Sequence, residues 1–242
     1  MKRLVLILMA LLTTTVAQAQ RRDSAINSTL SLIGPRSPVR SNMQLWVVGS
    51  GGLSQLAASP PSGMTFETKN HDVYGGGILF EAGRFAMTGQ TGLLYFQEGM
   101  NATATEKLGT HDRKTTAIGE VSYIGIPAVG RWNAVRKGRT RLSLGLGLMP
   151  AFVVSRNAKM LVEESQNGVV TVSNEKTATD TSQLRSVNVM SIVSIGGDIG
   201  LNRNQDMRLE VVYRRGLMGH AKDNEDSHTN SVVMNLGFGF DI

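Results

Sequence analysis

From Thr229 to Ile242 the chain alternates. Val232, Met234, Leu236, Phe238, Phe240 and Ile242 are large and apolar, and Val233, Asn235, Gly237, Gly239 and Asp241 lie between them. Successive side chains of a strand point to opposite faces, so this segment has one continuous apolar face and one that is mostly small or polar. Composition argues against burying that face in a soluble β-sandwich. The chain holds 27 Gly but only 7 Phe, 4 Tyr and 2 Trp. A sandwich of this size would carry more large core residues and fewer strand glycines. The crowded inward positions of a small barrel accept glycine readily. A closed barrel with its apolar face turned to lipid is the architecture that fits.

The N-terminus agrees. Lys2 and Arg3 precede an unbroken apolar run from Leu4 to Leu12, and Ala17-Gln18-Ala19 is a small-x-small cleavage site. This reads as a signal peptide over 1–19 and is too short for a membrane helix. No later segment approaches the ~20 apolar residues of a helical span, so any spanning falls to strands. Residues 20–42, which carry Arg21, Arg22, Arg36 and Arg40 of a chain with formal charge +6, read as a basic periplasmic tail. The barrel is expected over 43–242. The absence of cysteine excludes a disulfide framework, a thiol nucleophile and a Cys-ligated metal. No nucleic-acid motif accompanies the arginines.

Eight strands are expected near 43–54, 72–83, 88–99, 117–134, 140–156, 187–202, 206–219 and 229–242. Strands two and three, four and five, and six and seven are joined by tight turns. The remaining connections are longer, and most are rich in Thr, Asn, Ser and charge. Short turns on the periplasmic side and long loops outside are the signature of a bacterial outer-membrane barrel. The fold class is therefore all-β, an eight-stranded antiparallel up-and-down transmembrane β-barrel. Within the third long loop, Lys159–Glu164 and Val169–Ser173 flank Asn167-Gly168, a type I′ turn signal. That hairpin is expected to project above the membrane; the alternative is a ninth and tenth barrel strand.

Parity assigns the faces. Leu142, Leu144, Leu146, Leu148, Pro150, Phe152 and Val154 point outward, with Ser143, Gly145, Gly147, Met149, Ala151, Val153 and Ser155 inward. Trp46 is ambiguous. The charged interior candidates are Glu81, Arg131, Asp198, Arg208, Glu210, Arg214 and Asp241. Charges taken from water must pair, so these seven are expected to form one ion-pair and hydrogen-bond network. An eight-stranded barrel is only about wide enough for its own side chains, which makes the network a plug. Tyr123, Trp132 and Tyr213 are candidate membrane-interface aromatics. Tyr123 shares parity with Arg131, so its outward placement requires a bulge near Gly125 or Pro127. Phe238, Phe240 and Ile242 keep the terminal apolar phase expected of a C-terminal assembly signal.

Two stretches resemble the PorT-like outer-membrane β-barrel family. Gln90 to Gly99, with its Gly92-Leu93-Leu94-Tyr95 core, is similar to the family's Gly-Leu-x-Tyr strand. Tyr123-Ile124-Gly125-Ile126-Pro127 is similar to its Tyr-x-x-Ile-Pro strand. One position departs, since Gly125 stands where the family usually has an acid. The resemblance spans about 43–242 and implies an outer-membrane location. It implies no shared activity and no catalytic residues.

Chemistry-bearing patterns are sparse. His71, His111, His220 and His228 all fall in or beside expected outer loops, without metal-ligand spacing. His220 and His228 flank Asp223, Glu225 and Asp226, but that run lacks the glycine and terminal Glu of an EF-hand loop. Ser227, His228 and Asp226 supply the residue types of a triad, yet strand neighbours point to opposite faces. The expectation is a non-enzymatic protein, structural or binding through its loops, with no cofactor or metal. A lipid A deacylase or acyltransferase and a narrow pore are the alternatives. Expected partners are outer-membrane lipid and lipopolysaccharide, the barrel-assembly machinery, and an unidentified extracellular or periplasmic protein.

Overall fold

A computed structural model describes residues 43–57, 64–84, 86–108, 111–137, 140–166, 169–177, 185–202, 204–218 and 228–242. The expected signal peptide and basic tail lie outside these residues. Eleven strands are described: β1 (Met43–Ala57), β2 (Met64–Lys69), β3 (His71–Arg84), β4 (Met87–Leu108), β5 (His111–Gly125), β6 (Ala128–Lys137), β7 (Thr140–Gln166), β8 (Val169–Thr177), β9 (Val187–Gly200), β10 (Gln205–Gly216) and β11 (His228–Asp241).

Their pairings close a ring. β1 pairs with β3, β3 with β4, β7 with β9, β9 with β10, β10 with β11, and β11 returns to β1, all antiparallel. Between β4 and β7 the wall position is shared by β5 and β6, each of which pairs with both neighbours. β5 and β6 are thus one strand interrupted at Ile126-Pro127. Proline supplies no N–H to the ladder, while Ile126 N still donates to Pro150 O at 3.0 Å. Counted by wall position, the ring has eight strands.

The tight turns, Met43 and Ile242 share one end, where Ile242 N donates to Met43 O at 3.1 Å. In an outer-membrane barrel this is the periplasmic end. At the other end β4, β5 and β7 run on past the ring. β2 joins β4 there and, among the described residues, β8 pairs only with β7. The 159–173 hairpin therefore extends this upper sheet and adds no barrel strand.

Side chains sort by parity as the alternation requires. Leu142, Leu144, Leu146, Leu148, Phe152, Leu209, Val211, Val232, Met234, Leu236, Phe238 and Phe240 are exposed on the outer face, and Ser143, Arg208, Glu210 and Val233 are buried inside. Ser155 departs from the expected inward phase and is exposed. Ser122 pairs with Ser155 and Tyr123 with Val153, so Val154 is an extra residue that shifts the phase of β7 above it.

The lumen is not uniformly polar. Phe96, Tyr123, Val129, Met149, Met190, Ile192, Val212 and Val233 form a buried apolar cluster inside it, with Trp46, Val48 and Leu79 as a second. Charge occupies levels below and above this apolar belt.

Candidate functional site

The charged residues of the lower lumen come from inward positions of five strands. Arg208 on β10 donates through Nε to Asp198 Oδ1 at 2.7 Å and through Nη2 to Glu81 Oε2 at 2.5 Å. Arg131 on β6 donates through Nη1 to Glu210 Oε1 at 2.6 Å and through Nη2 to Ser143 Oγ. Arg141 on β7 reaches both Glu81, at 3.0 Å, and Asp198, where its Nε donates at 2.7 Å. Thr88 Oγ1 adds a bond to Glu81 Oε1 at 2.9 Å, and Asn235 Nδ2 one to Glu210 Oε2 at 3.3 Å. Three guanidiniums face three carboxylates, so the cluster is neutral by charge count. Arg131 and Arg208 are both 0% exposed. At such depth an unpaired charge is costly, and the multiple partners of each group answer that cost.

Trp46 packs against this cluster. It is fully buried, and the Arg208 guanidinium carbon sits 3.8 Å from its ring centroid. The ambiguity of its parity is thereby resolved inward, with the ring meeting a cation on its face.

Five of the seven expected lumen charges, Glu81, Arg131, Asp198, Arg208 and Glu210, meet here; two do not. Arg214 lies six residues further along β10, about 20 Å along the strand. It forms a second cluster: its Nε donates to Ser231 Oγ at 3.2 Å, its guanidinium covers the Phe96 ring at 4.3 Å, and Glu98 is 3.9 Å away. Glu98 also accepts from Thr229 Oγ1 at 3.1 Å and Ser231 Oγ at 2.9 Å. Asp241 stands at the periplasmic end, where Gln44 Nε2 donates to it and to Asp206, each at 2.8 Å. One network is thus three tiers, because strand rise separates residues that share a face.

Sequence reading passed over Arg141, Glu98, Gln44 and Asp206. The signal was present for Arg141, which shares parity with Ser143 and is drawn inward although it sits next to a turn.

The expected outward placement of Tyr123 is incorrect. Its side chain is 1% exposed and stacks on Phe96 inside the lumen, with centroids 5.3 Å apart. No phase shift occurs at Gly125 or Pro127: Tyr123, Gly125, Pro127, Val129 and Arg131 are all buried. Trp132 and Tyr213 are exposed at 53% and 39%. Trp132 pairs with Met87 near the periplasmic end, and Tyr213 pairs with Val232 near the other. Tyr74 and Tyr95 are also exposed on the outer face. Phe238, Phe240 and Ile242 are exposed at the seam where β11 meets β1.

Of the histidines, His71 opens β3, where its ring Nδ1 lies 2.9 Å from Asp72 O and its Nε2 lies 3.6 Å from Glu120 Oε1. His111 and His228 open β5 and β11. His220, Asp223, Glu225, Asp226 and Ser227 lie outside the described residues.

A closed antiparallel ring with an apolar outer band and paired charges inside defines a transmembrane β-barrel, and its place is the bacterial outer membrane. Residues 18–242 match the family described as outer membrane protein beta-barrel domain, and the chain belongs to that family. Similar solved structures include Neisserial surface protein A, 12% identical with TM-score 0.40, the match covering 82% of this chain and 97% of that one. Ail, the attachment invasion locus protein of Yersinia pestis, is 11% identical with TM-score 0.34, covering 83% and 99%. OprG from Pseudomonas aeruginosa is 11% identical with TM-score 0.39, covering 84% and 97%. No curated protein matches the chain in sequence.

Proposed function

We propose that this is a non-enzymatic outer-membrane protein whose lumen is closed by its own side chains. It acts as a structural element or as a binder through its extracellular end, and it falls in the PorT-like subgroup of its family. The observation that carries this reading is the neutral cluster of Arg131, Arg141 and Arg208 with Glu81, Asp198 and Glu210 across the lower lumen. A hydrated ion would have to displace these partners from one another, against an apolar belt just above. The upper sheet of β2, β4, β5, β7 and β8 offers the binding surface, with exposed ion pairs Arg113–Glu164 and Lys114–Glu163 at 3.8 Å each.

In this reading 1–19 is removed on export and 20–42 stays on the periplasmic side. Trp132 below and Tyr213 above sit at the two lipid interfaces, joined by Tyr74 and Tyr95 in place of Tyr123. Phe238, Phe240 and Ile242 present the terminal strand to the assembly machinery, and lipopolysaccharide surrounds the upper rim.

A rim enzyme needs serine, histidine and acid in mutual reach. His71 faces Glu120, but Ser54, which pairs with His71 across β1 and β3, donates its hydroxyl to the backbone carbonyls of Gly99, at 2.6 Å, and His71, at 3.4 Å. This favours the non-enzymatic reading.

Planar-bilayer recording of the purified, folded chain tests the proposal. No steady current above the lipid baseline is expected. A sustained ohmic conductance would replace this reading with the narrow-pore one.

A further inference from the structure

Between the lower cluster and the Glu98–Arg214 pair the lumen holds a partly open cavity of about 40 Å³. Most of its lining is apolar, Met149 included, but Gln90, Glu210, Arg214 and Asn235 also border it. Gln90 and Arg214 are each at least nine-tenths buried, and among the described residues Gln90 Nε2 and Arg214 Nη2 have no hydrogen-bond partner, Glu98 Oε1 standing 3.9 Å from the latter. Both are donors. Leaving a buried donor unmet costs about 1–3 kcal/mol, more for a charged one.

Two ligand chemistries suit unmet donors: an anion, or a molecule that both accepts and donates. The cavity wall decides between them. Glu210 borders the same space, and Asn235, also on its wall, donates through Nδ2 to the Glu210 carboxylate at 3.3 Å. A negative ion there would meet a carboxylate in a low-dielectric interior. Water satisfies donors and carboxylate together. A water needs roughly 10–15 Å³ of such volume and two or more polar partners.

We propose that this cavity is an internal hydration site holding about three ordered waters, which bridge Gln90 and Arg214 to Glu210. The lower charge cluster, to which Glu210 belongs, and the upper pair, to which Arg214 belongs, are then one hydrogen-bonded system passing through the apolar belt. The bridge is structural, because guanidiniums hold their protons and do not relay them.

The test is a high-resolution crystal structure of the folded barrel, with parallel crystals pressurised with xenon or soaked in bromide. The expected result is two or more water peaks in the cavity, one within about 3.2 Å of Gln90 Nε2 and one equally near Arg214 Nη2, with neither xenon nor bromide bound. Xenon in the cavity marks it as dry and overturns the proposal. Bromide there marks an anion site and also overturns it, as does empty density. Gln90→Met adds a second reading, with the peak beside residue 90 lost and the one beside Arg214 kept. An unchanged peak beside residue 90 would contradict its assignment. The wild-type crystals carry the decision even if that variant misfolds.

Discussion

Arg208 on β10 and Glu81 on β3 meet at 2.5 Å although β11 and β1 stand between their strands in the wall. Such a contact crosses the lumen rather than following the sheet. It ties together strands that are distant in sequence, and it closes the space a solute would need. Arg208→Met should therefore leave Glu81 and Asp198 short of a cation and lower unfolding stability by about 3–5 kcal/mol. Urea titration of the barrel in lipid vesicles measures this. A loss below about 1 kcal/mol would mean the cluster does not hold the lumen.

Charge balance predicts a partial rescue. In the double variant Arg208→Met with Asp198→Leu, one cation and one carboxylate leave together. Its loss should be smaller than the sum of the two single losses by about 1–3 kcal/mol. Simple additivity in a double-mutant cycle would show that the two residues do not depend on each other.

Glycine substitutions separate the inside of the barrel from the outside. A Cβ at Gly239 would lie 2.8 Å from atoms of the Trp46 ring, whose face is covered by the Arg208 guanidinium. Gly239→Ala should cost about 1–3 kcal/mol. A Cβ at Gly49, on the outer face of β1, would have no atom within 4 Å. Gly49→Ala should be neutral or stabilising by about 0.5–1 kcal/mol. The same urea titration ranks the two, and an inverted order would contradict the assignment of faces.

Much of this was legible in the sequence. Alternation in β7, β10 and β11 set which residues meet lipid, and the parity of turn lengths set the strand count. Tyr123 shows where parity needed to be followed through: the proline two residues past Gly125 interrupts pairing but not phase. Val154 shows the converse, a phase shift from an inserted residue that no local composition marks. The division of the charges into tiers was hidden for another reason. Parity reports the face of a residue, not its height, and height depends on stagger between strands that only the assembled sheet fixes. Arg214 and Asp241 share a face with the cluster yet sit too high and too low to join it.

The outer face makes its own prediction. Leu146 is 69% exposed and pairs with Val193 and Gly130 midway along the wall. In lipid, Leu146→Arg should cost about 2–4 kcal/mol. A surface facing water would tolerate it within about 0.5 kcal/mol. Equilibrium folding into vesicles distinguishes the two.

The most direct measurement is a spin-label scan of β11, one site at a time from 230 to 241, in the folded barrel in lipid. Collision rates with oxygen, which concentrates in hydrocarbon, should rise at Val232, Met234, Leu236, Phe238 and Phe240 and fall at Val233, Asn235, Gly237 and Gly239, with a period of two. If the even positions are instead protected from oxygen, or reached mainly by a water-soluble relaxing agent, the barrel does not turn this face to lipid and the account fails.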